Sequence, residues 1–180
     1  MKQLILLIGI LFITAYSDNS SSNKASSSNN SAEDNPLPSG RVIRHGIFSM
    51  VRGGNIIENS TTSTGKAMSN LVMTFIRQTE RIPIKKDRLL AYQYRLSNIP
   101  TKGYVQLRRI LSHPPFHLPD GTVSTGSDYT INKKVERNEV FSYDVYGLNE
   151  AYEMVEGEWE FQIWYQGKKL IEQKFVTYRE

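Results

Sequence analysis

The stretch Val155–Tyr178, VEGEWEFQIWYQGKKLIEQKFVTY, is where the fold is most readable. Trp159, Phe161, Ile163 and Tyr165 alternate with Glu158, Glu160, Gln162 and Trp164. Period-two alternation of this kind makes a β-strand with one buried and one wetted face. Gln166-Gly167-Lys168 supplies a short turn, and Lys169–Tyr178 returns as a second strand rich in β-branched and aromatic residues. On that return strand the apolar residues fall on both parities: Ile171 and Phe175 on one, Leu170, Val176 and Tyr178 on the other. Either a bulge shifts the face midway or the strand is covered on both sides. The hairpin reads as the element that closes a core, with Trp159 as its buried tryptophan and Trp164 on the opposite face.

Upstream, the same alternation recurs. Val42–Val51 predicts a first strand, with Gly46 as a bulge or close approach. Arg52–Lys66 reads as a loop and Ala67–Gln78 as a second strand. Leu89–Ser97 alternates cleanly, with Leu90, Tyr92, Tyr94 and Leu96 inward. Tyr104–Ser112 is a strand with a bulge expected near Arg109, and His113–Gly126 a Pro/Gly-rich loop. Shorter strands follow around Tyr129–Val135 and Phe141–Val145, and Gly147–Glu156 is an acidic connection. Seven to eight short strands with turn chemistry between them and no amphipathic helix predict an all-β, antiparallel sandwich.

Length and composition fit one such domain, residues 41–180, carried behind a different kind of segment. Residues 41–110 hold 13 basic and 3 acidic side chains, while residues 111–180 hold 7 and 12. That asymmetry means a basic face for an anionic partner, or two halves that interleave as strands and neutralise each other. The chain has no cysteine, which excludes disulfides, thiol nucleophiles and cysteine zinc sites.

At the N-terminus, Met1-Lys2 and the apolar run Leu4–Ala15 form a secretory signal, too short to cross a bilayer, over residues 1–17. Cleavage before Asp18 is expected. The pattern around Ile13-Thr14-Ala15 is similar to a lipoprotein signal with Tyr16 in place of the lipidated cysteine, so a membrane anchor would exist only if Tyr16 were Cys. Residues 18–40 are Ser/Asn-rich and read as a disordered tether. The expected location is periplasmic or secreted, with envelope association.

Several blocks then align: His45-Gly46-Ile47-Phe48; Gln78-Thr79 with Ile82-Pro83; Ala91–Leu96; His113-Pro114-Pro115 with Pro119-Asp120-Gly121; and Gly157-x-Trp159-x-Phe161-x-Ile163. Together they resemble an exported bacterial family defined only as a domain of unknown function. The resemblance spans nearly all of residues 41–180 and implies an immunoglobulin-like sandwich; it brings no activity and no functional residues.

Candidate sites are few. His113, His117 and Asp120 are the one cluster of potential metal ligands, but His-x3-His needs a helix to align its rings and the prolines forbid one, so no metal or other cofactor is expected. No serine sits in a nucleophile elbow, Gly53-Gly54 lacks the residues of a phosphate loop, and Glu158 with Glu160 reads as a charged outer face. The chain is therefore expected not to be an enzyme. Arg77, Arg81, Lys85, Lys86 and Arg88 form a dense basic segment, suited to an anionic envelope polymer or carbohydrate or to blunting strand edges. An exported protein rarely meets nucleic acid, so none is expected as a partner. Trp164, Tyr146 and Tyr152 are the aromatics outside the inferred core and the candidates for a binding surface. The expected function is a non-catalytic binding or assembly module of the bacterial cell envelope, with an envelope protein or anionic polymer as partner.

Overall fold

The computed structural model describes residues 36–180, and residues 1–17 with Tyr16, as well as most of the tether, lie outside them. Eleven strands follow in order: β1 (Ser39–Arg52), β2 (Ile56–Glu58), β3 (Lys66–Met68), β4 (Val72–Gln78), β5 (Arg81–Pro83), β6 (Arg88–Ser97), β7 (Gly103–His117), β8 (Val123–Val135), β9 (Val140–Leu148), β10 (Gly157–Tyr165) and β11 (Lys168–Tyr178). They form a four-stranded sheet, β4-β1-β6-β9, a five-stranded sheet, β5-β11-β10-β7-β8, and the small β2-β3 hairpin. Pairing is antiparallel except between β5 and β11.

The two main sheets bury their facing sides. Leu90, Tyr92, Tyr94 and Leu96 of β6 meet Trp159, Phe161 and Ile163 of β10, all fully buried. Trp159 takes the expected place, its indole N–H donating to Thr177 Oγ1 at 3.1 Å. The ambiguous parity of β11 resolves as a bulge: Ile163 faces Ile171 while Trp164 faces Lys169, so Leu170 is the extra residue. Both Leu170 and Ile171 are thereby buried, and Val176 is left outside.

Four expectations are corrected. Ser39 and Gly40 are already paired with Ser97 and Leu96, so the first strand starts before residue 41. The loop 52–66 contains β2 and leads to β3, and Asn70 in a left-handed conformation (φ 57°) separates β3 from β4. Nothing bulges at Arg109, which faces Tyr129 and Ile163 in regular register. The irregularity lies further on, where pairing jumps from Ser112↔Gly126 to Phe116↔Ser124 and His113-Pro114-Pro115 loop out. Beyond Ser112 no pairing with β10 exists, so the prolines break only the β8 ladder, which resumes at Phe116, and the strand runs on to His117 where a loop was expected.

A second, smaller core covers the outer side of the four-stranded sheet. Phe48, Leu89 and Ala91 are buried there under Met50, Leu71, Met73, Phe75 and Val145. The charge asymmetry is resolved by interleaving: Arg95 pairs with Glu139, Arg108 with Asp128 and Arg109 with Asp144, each arginine from the basic half and each acid from the other.

Candidate functional site

β8 and β9 are joined by a tight turn in which Arg137 and Asn138 both have positive φ (52° and 61°), as a type I′ turn requires. From that turn the strands part, β8 to edge the five-stranded sheet and β9 to edge the four-stranded one. The wedge between them is floored by Arg109. The strict alternation of β7, with Val105, Leu107, Leu111 and His113 buried, carries Arg109 inward with them, and it is 6% exposed.

Arg109 is held on three sides. Its Nε donates to Asp144 Oδ2 at 2.7 Å and its Nη1 to Ser127 Oγ at 3.2 Å. Its guanidinium carbon lies 5.4 Å from the Tyr129 ring centre and 5.6 Å from that of Phe161, both within cation–π range. Burial works against its charge, but the Asp144 carboxylate outweighs this, and the guanidinium is held even more firmly protonated than an exposed arginine. Asp144 also accepts from Tyr92 OH at 3.4 Å and from the backbone N–H of Val145 at 2.9 Å. Burial pushes the Tyr92 and Tyr94 phenols up and the nearby Lys133 ammonium down.

This floor opens into a cleft of about 530 Å³ that runs over the end of β9. Arg109, Ser127, Tyr129 and Asp144 line its inner side, and Met50, Ile56, Ala67, Met68, Leu71 and Leu89 its outer side, beneath the β2-β3 hairpin. Its size falls in the ordinary range of ligand clefts. At one end Glu153, buried in a single 3-10 turn (Ala151–Glu153), accepts from Tyr146 OH, Asn149 N–H and Glu150 N–H at 2.7, 2.7 and 2.8 Å.

Of the sequence-based candidates, Tyr146 and Tyr152 line this cleft, though from the rim of the core and not from open surface. Tyr146 packs 4.9 Å from Trp159, ring centre to ring centre, because its strand parity turns it inward. Trp164 lies elsewhere, on the outward parity of β10, donating to Gln162 Oε1 at 2.6 Å. The basic segment is dispersed: Arg77 is on β4 of one sheet, Arg81 on β5 of the other, Lys85 and Lys86 in a turn, and Arg88 at the start of β6. Arg81 sits over the Tyr178 ring, and Lys86 alone of the five reaches the cleft.

His113, His117 and Asp120 are not brought together. His113 is buried, stacked 3.8 Å from Phe116 with Trp159 behind it. Its Nδ1–H donates to the Pro114 carbonyl at 2.7 Å, which leaves Nε2 a bare acceptor with no partner. Burial holds its pKa below the usual histidine value. His117 is exposed, and Asp120 accepts from Thr122 N–H and Oγ1 in its turn. Among the described residues no three potential ligands cluster around a point.

The Arg109–Asp144 pair was not anticipated. The signal was present in the β7 alternation, where an arginine occupies an apolar parity, and was misread as a bulge.

A family model described as a domain of unknown function, DUF3859, matches residues 37–177. No curated protein matches the chain. An immunoglobulin-like protein from Pseudomonas aeruginosa, solved by crystallography, is 19% identical over 81% of this chain and 99% of its own, with a TM-score of 0.50. That likeness agrees with the sheet order in making this an immunoglobulin-like sandwich. A β-glucosidase from Listeria innocua is 7% identical over 74% of this chain and 16% of its own, with a TM-score of 0.37. An alkylpurine DNA glycosylase from Pseudomonas fluorescens is 8% identical over 56% and 28%, with a TM-score of 0.32. These two match over a minor part of their own length.

Proposed function

The chain belongs to the DUF3859 family, a domain of unknown function, and we propose that it acts as a non-catalytic binding or assembly module exported to the bacterial cell envelope. The cleft over the end of β9 carries this reading. It sets Met50, Ile56, Met68, Leu71 and Leu89 beside a buried, fixed cation, a combination that anchors and orients a partner group. The buried ionisable groups in it are committed to static contacts, Arg109 to Asp144 and Glu153 to Tyr146 and two backbone amides, which suits holding better than proton transfer. Export rests on the apolar run after Lys2.

A second reading is contact with an anionic envelope polymer or carbohydrate through Arg77, Arg81, Lys85, Lys86 and Arg88. In its favour, none of the five forms an ion pair among the described residues. Binding of the full chain to purified envelope fractions at rising salt separates the two. Cleft binding should persist at high salt and be lost in Ser127→Trp, which fills the inner lobe. Binding that collapses with salt and ignores Ser127→Trp would favour the polymer. No binding under either condition, together with a wholly cytoplasmic chain on cell fractionation, would refute the envelope-module reading.

A further inference from the structure

The free edge of β9 and the cleft coincide. β9 pairs with β6 on one side and ends its sheet on the other. The Leu148 carbonyl accepts on the β6 side, from Asp87 N–H, whereas Val145 N–H is covered by the Asp144 side chain. Alternation along an antiparallel strand therefore aims the backbone groups of Tyr143, Val145 and Gly147 at the free edge. The side chains on the same parity are apolar and open, Phe141 being 61% and Tyr143 43% exposed.

The other edges are blunted in the ways that prevent pairing. β4 is bulged against β1 at two places, β5 has three residues and ends in Pro83, and β8 carries Asp128, Lys133 and Lys134. β9 has no bulge, proline or lysine. Its one charge, Asp144, points inward and is taken by Arg109.

Four consecutive β9 residues, Asp144 to Gly147, line the cleft, so its two lobes lie on either side of the edge. The outer lobe sets Met50, Ile56, Met68, Leu71 and Leu89 among the polar Thr62, Ser63, Thr64 and Lys66. In the inner lobe the acids already have donors, while the third guanidinium nitrogen of Arg109, Nη2, has no hydrogen-bond partner among the described residues. An incoming strand alternates its side chains between the same two lobes.

We propose that β9 receives an extended peptide strand of a partner protein by strand addition. Its apolar side chains would enter the outer lobe, and a carboxylate or amide between them would accept from Arg109. This rests on the binding-module reading and specifies the partner. A second copy fits less well, since the inward charge that β9 itself would offer is Asp144, already held by its own arginine.

The test uses the full chain against a phage-displayed library of linear random peptides. Enriched peptides should carry an acidic or amide residue flanked by apolar ones. Saturation with such a peptide should slow amide exchange at Tyr143 and Gly147, the edge amides not already held by a side chain, by about tenfold or more. Tyr143→Pro removes only an outward N–H, so it should keep the fold and lose the peptide. Should that variant unfold, Tyr143→Lys serves instead, with the same loss expected. Enriched peptides that leave those amides unprotected would overturn strand addition, as would protection that appears with concentration alone, the mark of a second copy. Failure to enrich any peptide while binding to envelope fractions persists would overturn strand addition and leave the module standing; failure of both would remove the module as well.

Discussion

Replacing Arg109 by methionine isolates the interaction on which the wedge between β8 and β9 depends. The arginine and Asp144 side chains are 7% and 13% exposed, and their nearest atoms are 2.7 Å apart. Removing one partner leaves the other charge in a dry site, which costs about 3–5 kcal/mol. Asp144 would keep only Tyr92 OH and Val145 N–H as donors, too few for a carboxylate. For a domain of this size the loss corresponds to a fall in Tm of roughly 10–15 °C. In urea it shifts the midpoint by about 2 M, with a slope near 2 kcal/mol per M. Adding Asp144→Asn removes the orphaned charge while its Oδ1 still accepts from Val145 N–H and its amide NH2 can donate to the Tyr92 hydroxyl, so the double variant should recover to within about 1–2 kcal/mol of wild type. The neighbouring Arg108 is a built-in control, since its pair with Asp128 is about half exposed and Arg108→Ala should leave the urea midpoint nearly unchanged. Urea unfolding of wild type and these three variants measures all of this. A single-variant cost below about 1 kcal/mol, or a double variant no better than the single, would refute the buried-pair argument.

Three further outcomes follow from other sites. His113 has a folded-state pKa below its unfolded value, so the unfolded chain takes up a proton first as pH falls below about 6.5, and stability should drop over that range; thermal unfolding from pH 8 to pH 5 should show the drop in wild type and a shallower one in His113→Phe. Gly46 has φ 138°, and an added Cβ would lie 2.1 Å from the Arg77 carbonyl oxygen, so Gly46→Ala should destabilise by about 3 kcal/mol in chemical denaturation. Trp159→Phe removes buried volume and the indole N–H that donates to Thr177 Oγ1, whose hydroxyl still reaches the Val155 and Gly157 carbonyls at 2.7 and 3.2 Å; a loss of about 2–3 kcal/mol is expected, and one much smaller would mean the site collapses around the phenyl ring.

The fold was legible where a strand has one wet side. The alternations in β10 and in the second half of β6 state their inward residues outright, and the doubled parity of β11 announces its Leu170 bulge. Where geometry is set by neighbours, local signals misled. His113-Pro114-Pro115 reads as a loop because prolines cannot serve a ladder, but they form a bulge in a strand that has run past β10 and rejoins β8 at Phe116. The second core was hidden because Leu89 and Ala91 alternate with an equally apolar set, and burial on both faces erases the period. The cleft was legible only in fragments. Tyr146 and Tyr152 were found as aromatics, but Arg109 and Asp144 stand 35 residues apart and meet only because β7 and β9 lie in different sheets that face each other.

The central claim, that partners engage this domain along β9, is most directly tested by site-specific photo-crosslinking of the full chain in the cells that make it. A photoreactive side chain at Tyr143 should give a covalent adduct, and one at Trp164, on the outer face of the five-stranded sheet, should give none. Adducts at position 164 with none at position 143 would contradict the account.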